Sequence, residues 1–243
     1  MTSKPHTDEV HRQQRVIKNP IKFKIQLNEE QKLAKEEILN NTLTLLAGSA
    51  GSGKTLLAVQ VALDGLIRRH YEKIIITRPT VSKEEIGFLP GDLREKMDPW
   101  IQPIYQNMYA LYDKEKVEKL IEDGKIEIVP LAFMRGRTFL DSCIIVDEAQ
   151  NVTHEQMEMI ATRIGLRSKM IICGDDHQVD LKNRRDSGFR FLYSASFKVK
   201  NMIGITLLQN HRDHIVDEIL EIYEEAETKG LMGSSGTSGR SKK

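Results

Sequence analysis

Residues 48–55 read Gly48-Ser49-Ala50-Gly51-Ser52-Gly53-Lys54-Thr55, and no other stretch restricts the fold of this chain so tightly. The run fits G-x-x-x-x-G-K-[ST], and the chemistry explains each residue type. Gly48 and Gly53 permit backbone conformations and close approaches that a Cβ would obstruct, so the N–H groups through Ser49, Ala50, Gly51 and Ser52 can turn onto phosphate oxygens. Lys54 supplies a cation for the β- and γ-phosphates, and Thr55 a hydroxyl for Mg²⁺. Context gives the match its meaning. Thr42-Leu43-Thr44-Leu45-Leu46-Ala47 before the loop is a short apolar run. Leu56, Leu57, Ala58, Val61, Ala62 and Leu66 after it are spaced as a mostly buried helix. A strand, this loop and a helix N-terminus form the anion site the motif requires. The sequence therefore predicts nucleoside triphosphate binding.

The rest of the chain alternates strands with helices. Asn28-Glu29-Glu30-Gln31 opens a helix carrying Leu33, Ala34 and Ile38. Lys73-Ile74-Ile75-Ile76-Thr77 is a strand stopped by Arg78-Pro79. A long polar excursion over 80–124 follows, with the turn Leu89-Pro90-Gly91-Asp92 and helical patterns over 100–112 and 116–121. Further strands are expected at 125–129, 142–147, 170–174 and 203–208. Between them Thr153 caps a helix with Gln156 completing a capping box, and its stripe is Met157, Ile160, Ala161 and Ile164. A last helix carries Ile215, Val216, Ile219, Leu220 and Tyr223. This alternation predicts an α/β domain over 25–229, with a mainly parallel central sheet flanked by helices and ligands at the carboxyl ends of the strands. Residues 1–24 read as a flexible basic arm. Residues 230–243 read as a flexible Gly/Ser-rich tail.

A length of 243 residues suits one domain. The formal net charge is +1 with 29% charged residues, so any nucleic acid partner has to use a local basic patch. The chain shows neither an apolar signal core nor a run long enough to span a membrane, which predicts a cytoplasmic protein without membrane contact. Cys143 and Cys173 both fall in predicted buried strands and read as small core hydrophobes rather than a disulfide.

Cys143-Ile144-Ile145-Val146-Asp147-Glu148 is an apolar strand delivering two carboxylates at its carboxyl end, the Walker B position of P-loop enzymes. Asp147 is expected to hold Mg²⁺, and Glu148 to polarise the attacking water as general base. Gly174-Asp175-Asp176-His177-Gln178 ends the following strand. In ATPases with a catalytic glutamate that strand usually lies between the P-loop and Walker B strands, so Gln178 would read the γ-phosphate or the water. Gln31, some seventeen residues before the P-loop, has two readings: an amide for the adenine edge, or the far half of a capping box with Asn28. His211-Arg212-Asp213 imitates a kinase catalytic loop without the Asn and D-F-G that must follow. The guanine-reading N-K-x-D is absent, which favours ATP over GTP.

These segments together resemble the PhoH-like family of phosphate-starvation-inducible ATPases, over about 31–224. Beyond the P-loop, the family's pieces are Thr77-Arg78-Pro79, Gly87-Phe88-Leu89-Pro90-Gly91-Asp92, Met134-Arg135-Gly136-Arg137-Thr138, Asp147-Glu148-Ala149-Gln150-Asn151 and Gly174-Asp175 with Gln178. The resemblance implies a single RecA-like P-loop NTPase domain, similar to the first lobe of superfamily-one helicases, in the minimal form common in bacteriophages. It inclines Gln31 toward the adenine role. The family usually ends in an Arg-His pair before its last helix; Arg212 keeps the arginine, and Asp213 replaces the histidine. One Walker A and no room for a second lobe leave an arginine to come from the same chain or a neighbour. The family similarity points to a homo-oligomeric, hexameric ring closed by heterologous interfaces.

Three functions fit the sequence. The first is an ATP-driven, Mg²⁺-dependent remodeller of RNA or single-stranded nucleic acid, touched by the 80–124 excursion and the basic arm, with Lys54, Glu148, Gln178 and Arg212 catalytic. The second is an ATPase switch acting on a protein partner. The third is a small-molecule kinase, ranked last because it would not need Glu148 beside Asp147.

Overall fold

A computed structural model describes residues 23–79, 93–175, 178–181, 183–210 and 214–228. Residues 1–22 of the basic arm, the Gly/Ser tail, Leu89-Pro90-Gly91-Asp92, Asp176, His177 and Arg212 lie outside the described residues. Six strands, β1 (Leu43–Gly48), β2 (Lys73–Thr77), β3 (Ile126–Ile128), β4 (Ser142–Val146), β5 (Lys169–Gly174) and β6 (Met202–Leu207), form one sheet in the order β3-β2-β4-β5-β1-β6. Every pairing is parallel. The expected α/β architecture is therefore the one found. β5 stands between the P-loop strand β1 and the carboxylate strand β4, as the placing of Gln178 required.

The central strands are near-continuous apolar runs because both their faces are covered. Strand side chains alternate between two cores. Leu46, Ile74, Ile76, Cys143, Ile145, Ile171 and Cys173 join the core beneath α1 (Glu29–Asn40), α2 (Lys54–Ile67) and α3 (Leu93–Leu111). Leu45, Ile75, Ile144, Val146, Met170 and Ile172 join the opposite core with Phe189, which also takes in α5 (His154–Ala161) and α6 (Gly188–Ala195). The helix α4 (Lys114–Glu122) follows α3, and α7 (His214–Thr228) closes the described chain. Both cysteines are free and buried. Cys143 pairs with Lys169, so Cys173 lies four residues along β5, about 13 Å away along the strand direction.

The structure redraws the excursion over 80–124. Ile101, Ile104, Tyr105, Met108 and Leu111 recur at helical spacing and are buried in the core that α2 shares. The helices expected over 100–112 and 116–121 are thus present, and the first is a packed layer of the core. The folded unit also takes in Phe23 and Lys24. Phe23 is buried, with its ring 6.5 Å from that of Tyr112, and the Lys24 N–H donates to the Leu111 carbonyl at 3.0 Å. The last helix forms over the predicted stretch, yet Ile215, Ile219, Ile222 and Tyr223 are exposed along it. No helix among the described residues is long and apolar enough to cross a membrane.

Candidate nucleotide site

The P-loop leaves β1 at Gly48, whose φ is +152°. A Cβ there would stand 2.6 Å from the Leu207 carbonyl and 2.7 Å from Ser52 Oγ, so the loop can pass β6 only as glycine. Gly51 and Gly53 hold φ of +90° and +83°, the left-handed region. Gly53 is the N-cap of α2 and supplies no side-chain cap. The helix therefore presents a positive end suited to an anion. Lys54 Nζ donates to the carbonyls of Gly48 and Ser49, each at 2.8 Å, folding its cation over the loop. Thr55 Oγ1 donates to Asp147 Oδ1 at 2.8 Å. Two oxygen ligands of the kind Mg²⁺ takes are thus in contact, and this hard cation needs few protein groups when phosphates supply the rest.

Ala50, Gly51, Gly53, Lys54, Thr55, Asp147, Glu148, Gln178 and Gln31 line one cavity of about 860 Å³. Gly48, Ser49 and Ser52 are not part of its lining, and Ser52 is buried. Burial raises the Asp147 carboxyl above the usual carboxylate range, and the neighbouring Glu148 raises it further; Thr55 and Arg78 act in the other direction. A cation placed there would relieve both upward pressures.

Glu148 turns the chain out of β4 with φ +52° and ψ +38°, a left-handed conformation that costs about 1–3 kcal/mol for a residue with a Cβ. Its carboxylate is held on both sides. Arg78 Nη2 donates to Oε1 at 3.1 Å, and Gln150 Nε2 to Oε2 at 2.6 Å. Gln150 is 1% exposed, and its Oε1 accepts the Asp175 N–H at 3.0 Å. One amide therefore joins the end of β4 to the end of β5. Sequence reasoning gave neither Arg78 nor Gln150 a role at the site. Strand register carries the signal for Arg78: Thr77 pairs with Val146, which sets Arg78 level with the residues just past β4. Gln150 has only its place two residues after Glu148.

The structure bears out the capping reading of Gln31 and places its side chain at the cavity wall. The capping box with Asn28 is complete: the Gln31 N–H donates to Asn28 Oδ1 at 2.7 Å, and the Asn28 N–H to Gln31 Oε1 at 3.2 Å. Yet Gln31, 3% exposed, also turns Nε2 onto the Ser52 carbonyl at 3.3 Å, inside the P-loop. Asn28 and Asn107 line the same cavity, a place that the sequence signals for neither. Glu30 accepts the N–H groups of Leu208 at 2.8 Å and Gln209 at 3.2 Å, and Asn28 Nδ2 donates to Gln209 Oε1 at 2.8 Å. Leu208 and Gln209, just past β6, are thereby tied to the start of α1.

The family model described as PhoH-like protein matches residues 24–224. A PhoH-like protein of Bacillus subtilis (strain 168) is 45% identical over 76% of this chain and 59% of its own length. One of Synechocystis is 42% identical over 78% of this chain and 59% of its own. Protein PhoH of Escherichia coli (strain K12) is 39% identical over 73% of this chain and 51% of its own. The chain thus spans somewhat more than half the length of these curated relatives. Among solved structures, the Pif1 helicase from Candida albicans overlays with a TM-score of 0.44 at 17% identity, over 83% of this chain and 44% of that one, too distant a likeness to carry function across.

Proposed function

Because this chain belongs to the PhoH-like family and has the fold of a P-loop NTPase, we propose that it binds ATP with Mg²⁺, hydrolyses it, and couples the hydrolysis to RNA or single-stranded nucleic acid. The observation that carries the reading is the Glu148 carboxylate, held from both sides in the cavity that Lys54, Thr55 and Asp147 line. A carboxylate so fixed suits a general base. Lys54 exchanges the carbonyls of Gly48 and Ser49 for β- and γ-phosphate oxygens. Thr55 and Asp147 would hold Mg²⁺, which would supply charge neutralisation for the phosphates. Glu148 takes a proton from the attacking water, and Gln178 senses the γ-phosphate from the loop after β5. Gln31 reads the adenine edge beside its capping role.

Arg212 supplies transition-state charge, within one chain or across a subunit interface of a hexameric ring. The exposed stripe of Ile215, Ile219, Ile222 and Tyr223 on α7 supports a homo-oligomer, since apolar patches of that kind mark association surfaces. The test is steady-state ATP turnover with and without single-stranded RNA or DNA, beside Glu148→Gln. The expectation is stimulation by a strand, with Glu148→Gln binding ATP normally and turning over roughly 10²–10⁴ more slowly. Turnover that no strand changes would move the reading to a protein partner. Full turnover in Glu148→Gln would remove the general base.

A further inference from the structure

The near-neutral charge of the chain requires any nucleic acid to meet a local patch, and the described surface has one that the nucleotide site does not use. The stretch Asn183-Arg184-Arg185-Asp186-Ser187-Gly188-Phe189-Arg190 holds three arginines and one acid. That acid, Asp186, accepts a hydrogen bond from Asn183 Nδ2 at 3.2 Å. Arg184, Arg185 and Arg190 are exposed. With His154, Ser187 and Phe191 they line a groove of about 470 Å³. Phe191 is 63% exposed, and its ring meets His154 edge-on at 5.5 Å and 76°. Its neighbour Phe189 is fully buried, so α6 sends one aromatic ring to the core and one to solvent. Ser187, the N-cap of α6, makes no capping hydrogen bond. It is 2% exposed and its hydroxyl has no partner among the described residues. The groove therefore offers guanidinium groups, the positive end of a helix and a bare aromatic face.

We propose that this groove between α5 and α6 is a binding site for single-stranded nucleic acid, taking backbone phosphates on Arg184, Arg185 and Arg190 and one base against Phe191. Guanidinium groups fit phosphate oxygens in a fork and an exposed ring stacks on any base, the pairing that sequence-tolerant strand binding uses. A carboxylate-bearing protein partner would account for the arginines and leave the exposed ring without a use. The inference rests on the reading of this chain as a strand-coupled ATPase and names where the strand lies.

The groove is also wired to the nucleotide cavity. The end of β5 and the loop after it line that cavity with Gly174, Asp175 and Gln178, and the chain reaches the groove at Arg184. At Asp175, Asp180 and Arg185 it is bonded to the stretch that follows Glu148. Gln150 accepts from the Asp175 N–H at 3.0 Å. Asn151 donates to Asp180 Oδ2 at 3.0 Å and accepts from the Asp180 N–H at 2.8 Å. The His154 ring meets the Arg185 carbonyl at 3.0 Å. A shift at the γ-phosphate end of this loop has a short bonded path to the arginines.

The experiment measures fluorescence anisotropy of labelled oligouridylate and oligothymidylate with the full chain, a non-hydrolysable ATP analogue and increasing salt. Each of Arg184→Ala, Arg185→Ala and Arg190→Ala should lower the slope of log affinity against log salt by about 0.7. Phe191→Ala should weaken binding roughly 5- to 150-fold with the slope unchanged. A triple Arg→Lys variant should keep the slope that the triple Arg→Ala variant loses, and all variants should keep wild-type melting and basal ATP turnover. Preference for one oligonucleotide, lost in the variants, supports the groove and names the strand. A wild type that binds while every variant binds alike overturns the groove and leaves the strand-coupled reading standing. A wild type that hydrolyses ATP and binds neither oligonucleotide overturns both.

Discussion

Gln150→Glu tests the centre of the site, because it keeps one hydrogen bond of the side chain and inverts the other. In the protein Gln150 accepts the Asp175 N–H at 3.0 Å and donates to Glu148 Oε2 at 2.6 Å. A glutamate can still accept from Asp175, but it sets a second carboxylate against the first. Two like charges 4 Å apart cost about 4 kcal/mol at an effective dielectric of 20. The Glu148 side chain is 36% exposed, so screening reduces this to about 2 kcal/mol. Gln150→Ala instead leaves the buried Asp175 N–H without its acceptor, for about 1–3 kcal/mol at any pH. The signs with pH differ. In Gln150→Glu the folded pair holds a proton that the unfolded chain releases, so the folded state binds more protons and stability falls as pH rises above the carboxylate range. Urea unfolding from pH 5 to pH 8 reads this directly. Gln150→Glu should approach wild type at the acid end and lose about 2 kcal/mol at the other, while Gln150→Ala should lose a constant amount. A Gln150→Glu protein as stable as wild type at pH 8 would refute the donor contact to Glu148, and with it the clamp on the proposed base.

Asp147→Asn should raise thermal stability in the absence of divalent cation, because burial and Glu148 hold this carboxyl above its ordinary range. That raised value makes the wild type lose stability as pH climbs through it, a loss the asparagine variant should not show. Differential scanning fluorimetry should also show that added MgATP stabilises the wild type and not the variant. Gln31→Ala should narrow the preference for ATP over GTP in equilibrium binding; a loss of about 1 kcal/mol in stability with selectivity intact would leave only the cap. Arg212→Ala should lower turnover on the order of 10³ with little change in ATP affinity. Mixing it with Lys54→Ala subunits should restore activity if the arginine acts across an interface, and no recovery in mixed assemblies would place it in cis.

The sheet and the phosphate loop were legible in the sequence because they depend on local chemistry. Continuous runs such as Ile74-Ile75-Ile76 and Cys143-Ile144-Ile145-Val146 can be satisfied only by strands covered on both faces. The glycines of 48–53 declare a loop whose backbone takes positive φ, with no room for a Cβ at Gly48. Asn28 with Gln31 and Thr153 with Gln156 fixed two helix starts within four residues each, since a cap is an interaction between near neighbours. Other features needed the assembled sheet. Whether Gln31 caps a helix or reaches the P-loop depends on α1 lying across β1, and the packed fold allows one amide to do both. Ile101, Ile104 and Met108 read as part of a polar excursion until α2 offered them a surface. Arg78 and Glu148 are 70 residues apart in the chain, and Gln150 and Asp175 are 25 apart. Only the order β2-β4-β5 brings them within hydrogen-bonding reach. Side-chain type states what a group can do. Parallel strand register, which no local pattern encodes, decides which groups meet.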